Sequence, residues 1–295
     1  EGGATLFAWD MLIEADVVEI DPETGEPVVE RQTVRASEVG LIPAPQGGFQ
    51  RRGFWEASGD EQRDYDIDVN GTRNVVQCCL KAGVQHLTVT SSGAAYGYHP
   101  DNPSWIDESD PLRGNDEFAY ARHKRLVEEY LAEQSRAHPE LKQLILRPGT
   151  VLGRQTRNQI TQLFEKKRLL AIRGSDSPFV FIWDEDLLRI VEKGIIESQV
   201  GMFNLAGDGA LRIDEVAKRL NKPLLRLPAA LLKTALAVGH RLGLSRYRPE
   251  QINFLRYRPV LSNRRLKEEF GYQPQLSSAQ VLELFIDHAR ARGQL

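Results

Sequence analysis

From Tyr65 onward the apolar positions alternate between a helical period and short β-rich runs. Asp66 to Ala82 places Val69, Thr72, Val76 and Cys79 on one side and predicts a helix that stops at Gly83. Gln85 to Thr90 predicts a short buried parallel strand that empties into the small polar run Ser91 to Gly97. Phe118 to Lys124 leads into a helix from Arg125 to Arg136. Lys142 to Gly153 reads as a second strand followed by a loop, with Pro148, which has no N–H, where the ladder ends. Asn158 to Arg168 is amphipathic and predicts a helix. Phe179 to Trp183 predicts a strand that opens a helix at Asp184, Glu185 and Asp186, whose carboxylates suit a helix N-terminus. Met202 to Gly207 and Ile213 to Leu220 give a further strand and helix. Beyond Pro223, Ala229 to Leu244 is an apolar helix interrupted by Lys233, His240 and Arg241, too short to span a membrane and suited to core packing or to a lid. The segment Leu266 to Pro274 predicts a helix with a glycine stop.

The first 64 residues are less regular. Val17 to Ile20 and Pro27 to Val34 flank Asp21-Pro22-Glu23-Thr24-Gly25, which reads as a β-hairpin. Residues 40–63 are rich in Gly, Pro and Arg and read as loop.

The chemistry gathers at the first strand end. Tyr120 and Lys124 are four apart and share a helix face. A cation beside a phenol favours the phenolate. A serine at position 92 could hold a substrate oxygen while Tyr120 moves the proton, which suits a carbonyl/alcohol pair. Ser-Ser-x-x-x-Tyr-Gly over 91–97, followed by Tyr-x-x-x-Lys over 120–124, resembles the extended short-chain dehydrogenase/reductase family of nucleotide-sugar epimerases and dehydratases. Asp68 to Asn74 is similar to that family's Asn-x-Asn-Gly-Thr segment, 146–153 to its Leu-Arg-Pro-x-x-Val-x-Gly loop, and 270–274 to its Leu-Gly-Trp-x-Pro segment. The strand at Phe179 and the strand at Met202 also have counterparts there. The resemblance covers residues 65 to 295 well and 1 to 64 poorly.

The resemblance implies an α/β fold, a Rossmann-like doubly wound parallel sheet with a smaller C-terminal substrate lobe. Residues 1–64 would be a degenerate or truncated N-terminal part of the dinucleotide-binding domain, 65–222 the catalytic core and 223–295 the mainly helical lobe. It implies catalysis by Ser92, Tyr120 and Lys124 around the nicotinamide of NAD or NADP, with Ser91, Asn70 and the Pro148 loop against the cofactor and Ser92 and Thr150 against substrate. Lys124 would also hold the nicotinamide ribose. Glu1 to Ala8 looks like the tail of the family's Gly-x-x-Gly-x-x-Gly turn, with Gly2 surviving and Thr5 and Ala8 at the other two glycine positions. On that reading Trp9 to Ala15 is a shortened first helix. Asp21 then ends a second strand, where its carboxylate would take the adenosine ribose and favour NAD. The hairpin reading of the same segment stays open. Family members pair through two helices, which implies a homodimer through helices 66–82 and 118–136 with Val76, Leu126 and Tyr130 at the contact. Gly93 and Ala94 follow Ser92 where the family's dehydratases carry Asp and Glu, so oxidation or epimerisation is expected over dehydration.

The substrate divides two ways. Arg246, Arg248, Arg256 and Arg258 form a basic cluster whose forks suit a nucleotide diphosphate, or a solvated face. The apolar helix after Pro223 suits a hydrophobic alcohol or ketone. A ligand- or partner-binding member without catalysis is the reading the eroded turn favours. At 295 residues with 41% hydrophobic and 27% charged positions, the chain can bury a substantial core. A net charge of −3 argues against nucleic acid as the main partner. Cys78 and Cys79 are the two cysteines and are adjacent, which fits a reducing compartment; with six histidines at no ligand spacing, no metal is expected. No signal pattern or membrane span is read, so a cytoplasmic location is expected, and with the first methionine at Met11 a start upstream of Glu1 is expected too.

Overall fold

The computed structural model describes residues 61–241, 249 and 252–295, together with the backbone of five strands before them. Those strands are β1 (Thr5–Ala8), β2 (Leu12–Ile20), β3 (Pro27–Arg35), β4 (Leu41–Pro43) and β5 (Phe49–Arg51). β2 and β3 pair antiparallel from Ile20↔Pro27 to Leu12↔Arg35, so the hairpin reading holds and is longer than expected. The part of the expected first helix that is described, Leu12 to Ala15, is strand, because Ile13-Glu14-Ala15-Asp16-Val17 alternates apolar and polar at the strand period. Thr5–Ala8 is likewise a strand, parallel to His86–Val89, and not a phosphate-binding turn. The stretch read as loop over 40–63 carries the β4–β5 pair and the start of a helix.

That helix, α1 (61–81), is α-helical over Glu61–Tyr65 and Gly71–Lys81, with a π turn at Asp66–Asn70 between them. It leads to β6 (His86–Thr90), α2 (Ala119–Ala137), β7 (Lys142–Pro148) and β8 (Thr150–Leu152). Then follow α3 (Gln159–Glu165), β9 (Leu169–Ile172), β10 (Phe181–Trp183), α4 (Asp184–Ile196) and β11 (Gly201–Leu205). The chain closes with α5 (Ile213–Leu220), β12 (Leu224–Leu227), α6 (Ala229–Arg241), α7 (Ile252–Arg256), α8 (Arg264–Glu268) and α9 (Ser278–Ala291).

The main sheet has the order β1-β6-β7-β11 and every pair is parallel. All five residues of β6 are buried, as expected of a parallel strand covered on both faces. The pleat sorts β7 by single residues. Ile145 joins Val69, Val76, Leu87, Val89, Val127 and Leu131 under α1 and α2. Leu144 and Leu146 turn the other way and pack with Ile190, Phe203, Leu205, Leu266 and Phe270. Helices therefore cover both faces, which gives the doubly wound α/β fold. Val76, expected at a contact between copies, is fully buried in this core.

The lobe is not a block that starts at 223. Its core joins Leu152, Phe164, Phe179, Phe181 and Trp183 to Val216 and Leu220 and to Val281, Leu282 and Phe285 on α9. β12 pairs with β9 and β10 with β8, so the chain enters the lobe, returns to the sheet at β11 and leaves again. No described helix is long and apolar enough to cross a membrane.

Candidate active site

Every feature of the first strand end has a local cause. The β6–β7 ladder runs one bond past β6, from Ser91 N–H to Leu146 O at 2.7 Å. Ser92 then caps a short 3₁₀ turn, Gly93–Tyr96, by accepting Ala94 N–H at 3.1 Å. Gly97 closes the turn at φ 80°, where a Cβ would lie 2.3 Å from the Arg113 carbonyl, so the motif's last position admits only glycine. Arg122 and Arg125 fasten the loop before α2: Arg122 donates to Asp116 O at 2.9 Å and pairs with Glu61, while Arg125 meets Asp116 Oδ1 at 2.7 Å. Tyr120 is thereby set in the first turn of α2, 46% exposed, with the Lys124 ammonium 5.5 Å from its ring centre. Lys124 itself is buried at 7% exposure.

A cleft of about 440 Å³ opens at these strand ends. Ser91, Ser92, Tyr120, Pro148 and Thr150 line it, and Lys124 stands behind Tyr120. Ser91 keeps no free hydroxyl, since its Oγ donates to Glu128 at 2.5 Å. Asn70 is not part of the cleft. Its amide donates to Asp66 at 2.8 Å and its oxygen accepts from Arg73 at 3.1 Å, so the wall position falls to Asp68 instead. Gly2, Asp21, Arg246 and Arg248 lie outside the described residues.

Two features were not read from the pattern, and a third, read only as one arginine of a basic cluster, takes a definite place in the cleft. The first is a buried polar chain behind the strand ends. Arg147 binds Glu128 through Nε at 3.0 and 2.9 Å and through Nη2 at 2.6 Å, and donates from Nη1 to the Tyr96 hydroxyl at 2.6 Å. Tyr96 donates to Asn204 at 2.9 Å, and Asn204 N–H donates to Glu108 at 2.6 Å. Burial pushes the Tyr96 hydroxyl up to about 12 and raises the Glu108 carboxyl.

The second is a histidine–carboxylate pair. His123, with no exposed surface, has Nδ1 3.1 Å from Asp68 Oδ2, and the Tyr65 ring stands edge-on to it at 5.5 Å. Its place one turn beyond Tyr120 is the signal that could have found it. The third is Arg258, which lines the far end of the cleft between Phe179, 4.0 Å from the guanidinium, and Phe254, at 5.3 Å. It donates to Ser177 Oγ at 3.0 Å, and among the described residues no carboxylate pairs with it. Burial brings its pKa down to about 10. Asp186 is structural, as its place at a helix start suggests: it accepts from the Tyr272 hydroxyl at 2.7 Å and from Gln275 N–H. Among the described residues no three His, Cys, Asp or Glu side chains gather as a metal site.

A parallel sheet with helices on both faces, and a serine turn facing a Tyr-x-x-x-Lys helix at its carboxyl ends, define the short-chain dehydrogenase/reductase class. Residues 50–175 match the model of the NAD dependent epimerase/dehydratase family. An uncharacterised protein of Mycobacterium tuberculosis is 24% identical over 232 residues, covering 77% of this chain and 60% of its own length. The chain thus spans about three fifths of the length of that relative. The N-acetyl-alpha-D-glucosaminyl-diphospho-ditrans,octacis-undecaprenol 4-epimerase of Escherichia coli O157:H7 is 36% identical over 103 residues, 35% of this chain and 30% of that protein. Among solved structures, the Bordetella bronchiseptica enzyme WbmG in complex with NAD and UDP superposes with a TM-score of 0.61 at 17% identity, over 82% of this chain and 72% of that one. That likeness is one of fold.

Proposed function

We propose that this chain forms the catalytic part of an NAD(P)-dependent epimerase or oxidoreductase acting on an alcohol or carbonyl carbon, most suitably of a nucleotide sugar. One observation carries the reading: Ser92 and Tyr120, with Lys124 behind them, meet on a single cleft at the carboxyl ends of parallel strands. The cleft suits a dinucleotide, since the Nε2 of His123 is a buried polar atom on its wall without a partner among the described residues. Tyr120 and Lys124 would hold the nicotinamide half, and the ring, when bound, supplies the hydride exchange at the substrate carbon. The proton is the chain's own work. The Ser92 hydroxyl, whose oxygen accepts Ala94 N–H, keeps its hydrogen for the substrate oxygen, and Tyr120 moves the proton to or from that oxygen.

Arg258 supports the nucleotide-sugar choice, because a guanidinium on a cleft wall with no carboxylate partner among the described residues suits a diphosphate. The diphospho-sugar in the E. coli relative's name and the UDP in the WbmG structure point the same way. Arg258→Leu is expected to raise the Kd for UDP by about tenfold or more, as loss of a charge-assisted bond does; calorimetry with UDP checks it. Tyr98, Phe118, Phe179 and Phe254 on the same wall favour the second reading, a hydrophobic alcohol or ketone, and unchanged UDP binding in Arg258→Leu would select it.

The test of the whole reading is a fluorescence titration with NADH and NADPH, for which the chain's four tryptophans are the reporter. Saturable quenching is expected, stronger with NADH. No response to either cofactor would leave the non-catalytic binding role. The homodimer through helices 66–82 and 118–136 is also proposed, with Leu126 and Tyr130, both half-buried, nearest the contact; light scattering at micromolar concentration is expected to give twice the 33.3 kDa chain mass, and a monomer would overturn it.

A further inference from the structure

We infer that His123 is a cofactor-binding residue, its Nε2 accepting a hydrogen bond from the bound dinucleotide. The inference rests on the proposed nicotinamide chemistry and adds a residue to it. His123 is entirely buried and yet lines the cleft. A carboxylate only accepts, so Asp68 at 3.1 Å fixes the ring proton on Nδ1 and leaves the lone pair of the neutral ring on Nε2. Among the described residues that atom has no partner. A buried acceptor left unmade is costly, and such an atom on the wall of a cleft is explained by a ligand that completes it.

The position decides which ligand. The cleft has two kinds of wall. Asp64, Ile67, Asp68 and His123 belong to the helices that flank the parallel sheet, whereas Phe254 and Arg258 come from the lobe. A dinucleotide lies across the strand ends of such a sheet, so the wall of α1 and α2 is its wall and the lobe side is left for substrate. His123 is also one residue from Lys124 and one turn from Tyr120, the groups that would meet the nicotinamide half. The π turn Asp66–Asn70 contributes here, because it carries Asp68 to the ring where the asparagine two residues later points away. Tyr65 then limits the ring to one orientation from its edge.

The experiment uses the full chain with ¹⁵N-labelled histidine and NADH as the probe. Two-bond nitrogen–proton spectra are recorded with and without NADH, the His123 signals being those that vanish in His123→Phe. The expected result is an Nδ1-protonated ring in the free chain whose Nε2 resonance moves on saturation with NADH. His123→Phe keeps a ring beside Tyr65 and is expected to bind NADH about three- to tenfold more weakly at an unchanged melting temperature. If that variant does not fold, His123→Asn, whose amide can still donate to Asp68, supplies both the assignment and the affinity. An Nε2 resonance unmoved at saturating NADH, or a folded variant with wild-type affinity, overturns the role of His123 and leaves the nicotinamide reading intact. A wild-type chain that binds no NADH or NADPH overturns both.

Discussion

Tyr120→Phe is expected to abolish turnover and leave the fold as it is. The phenol sits in the first turn of α2 with nearly half its surface exposed, and no hydrogen bond of its hydroxyl is found among the described residues, so deleting the oxygen breaks no buried contact. The ring stays, and with it the packing over Lys124, whose ammonium lies 5.5 Å from the ring centre. What is lost is the group proposed to exchange the proton with the substrate oxygen. Removal of a positioned general acid/base costs about 10²- to 10⁴-fold in rate. The measurement is turnover on a nucleotide sugar shown to react with the wild-type chain, beside melting curves of both proteins and NADH titrations. A variant with wild-type rate would dismiss Tyr120 from the mechanism. A variant slowed to the same degree but unable to bind NADH would make Tyr120 a cofactor-binding residue alone.

The parts of this molecule legible in its sequence are those where one signal acts locally. The strand at His86, the serine turn, the Tyr120/Lys124 face and the helix stop at Gly83 each depend on neighbours in the chain, and each is found where the pattern puts it. The glycine of Ser-Ser-x-x-x-Tyr-Gly is dictated by a backbone angle and a close carbonyl. Long-range partners are another matter. Arg147 reads as part of a motif and Glu128 as one more charge on an amphipathic helix, and nothing local says that they meet in the core. Asn70 rather than Asp68 looks like the site residue, because a regular helix is assumed where the chain inserts a π turn and rotates the face. The N-terminal segment misleads in the opposite direction: a resemblance suggests a glycine turn and a helix, while apolar–polar alternation, the plainer signal, correctly gives strands. The lobe's boundary fails for a topological reason, since β8 to β10 and α9 are far apart in sequence and share one core.

The same buried chain sets the largest expected effect on stability. Glu128 is one turn beyond Lys124 on α2, and its carboxylate takes Ser91 from the end of β6 and three donor contacts from Arg147 at the end of β7. One carboxylate thus ties together the three elements that carry Ser92, Lys124 and Pro148. Both side chains of the pair are almost without exposure, at 2% for Glu128 and 3% for Arg147. Burial opposes the charge of Arg147, and it is Glu128, with Tyr96 beside it, that holds the guanidinium above its ordinary pKa. Glu128→Gln keeps the size and some hydrogen bonds but leaves Arg147 a buried cation with no counter-charge. Breaking a buried pair from one side costs about 3–5 kcal/mol, which in a chain of this size lowers the melting temperature by roughly 10 °C. Replacing both partners, Glu128→Met with Arg147→Met, removes the stranded charge along with the pair and is expected to lose clearly less than the single change. Calorimetric melts of the three proteins decide the matter. A Glu128→Gln variant as stable as wild type would mean that the pair does not hold the elements together. A double variant worse than the single one would mean that shape and hydrogen bonding, rather than charge, fix Ser92 opposite Tyr120.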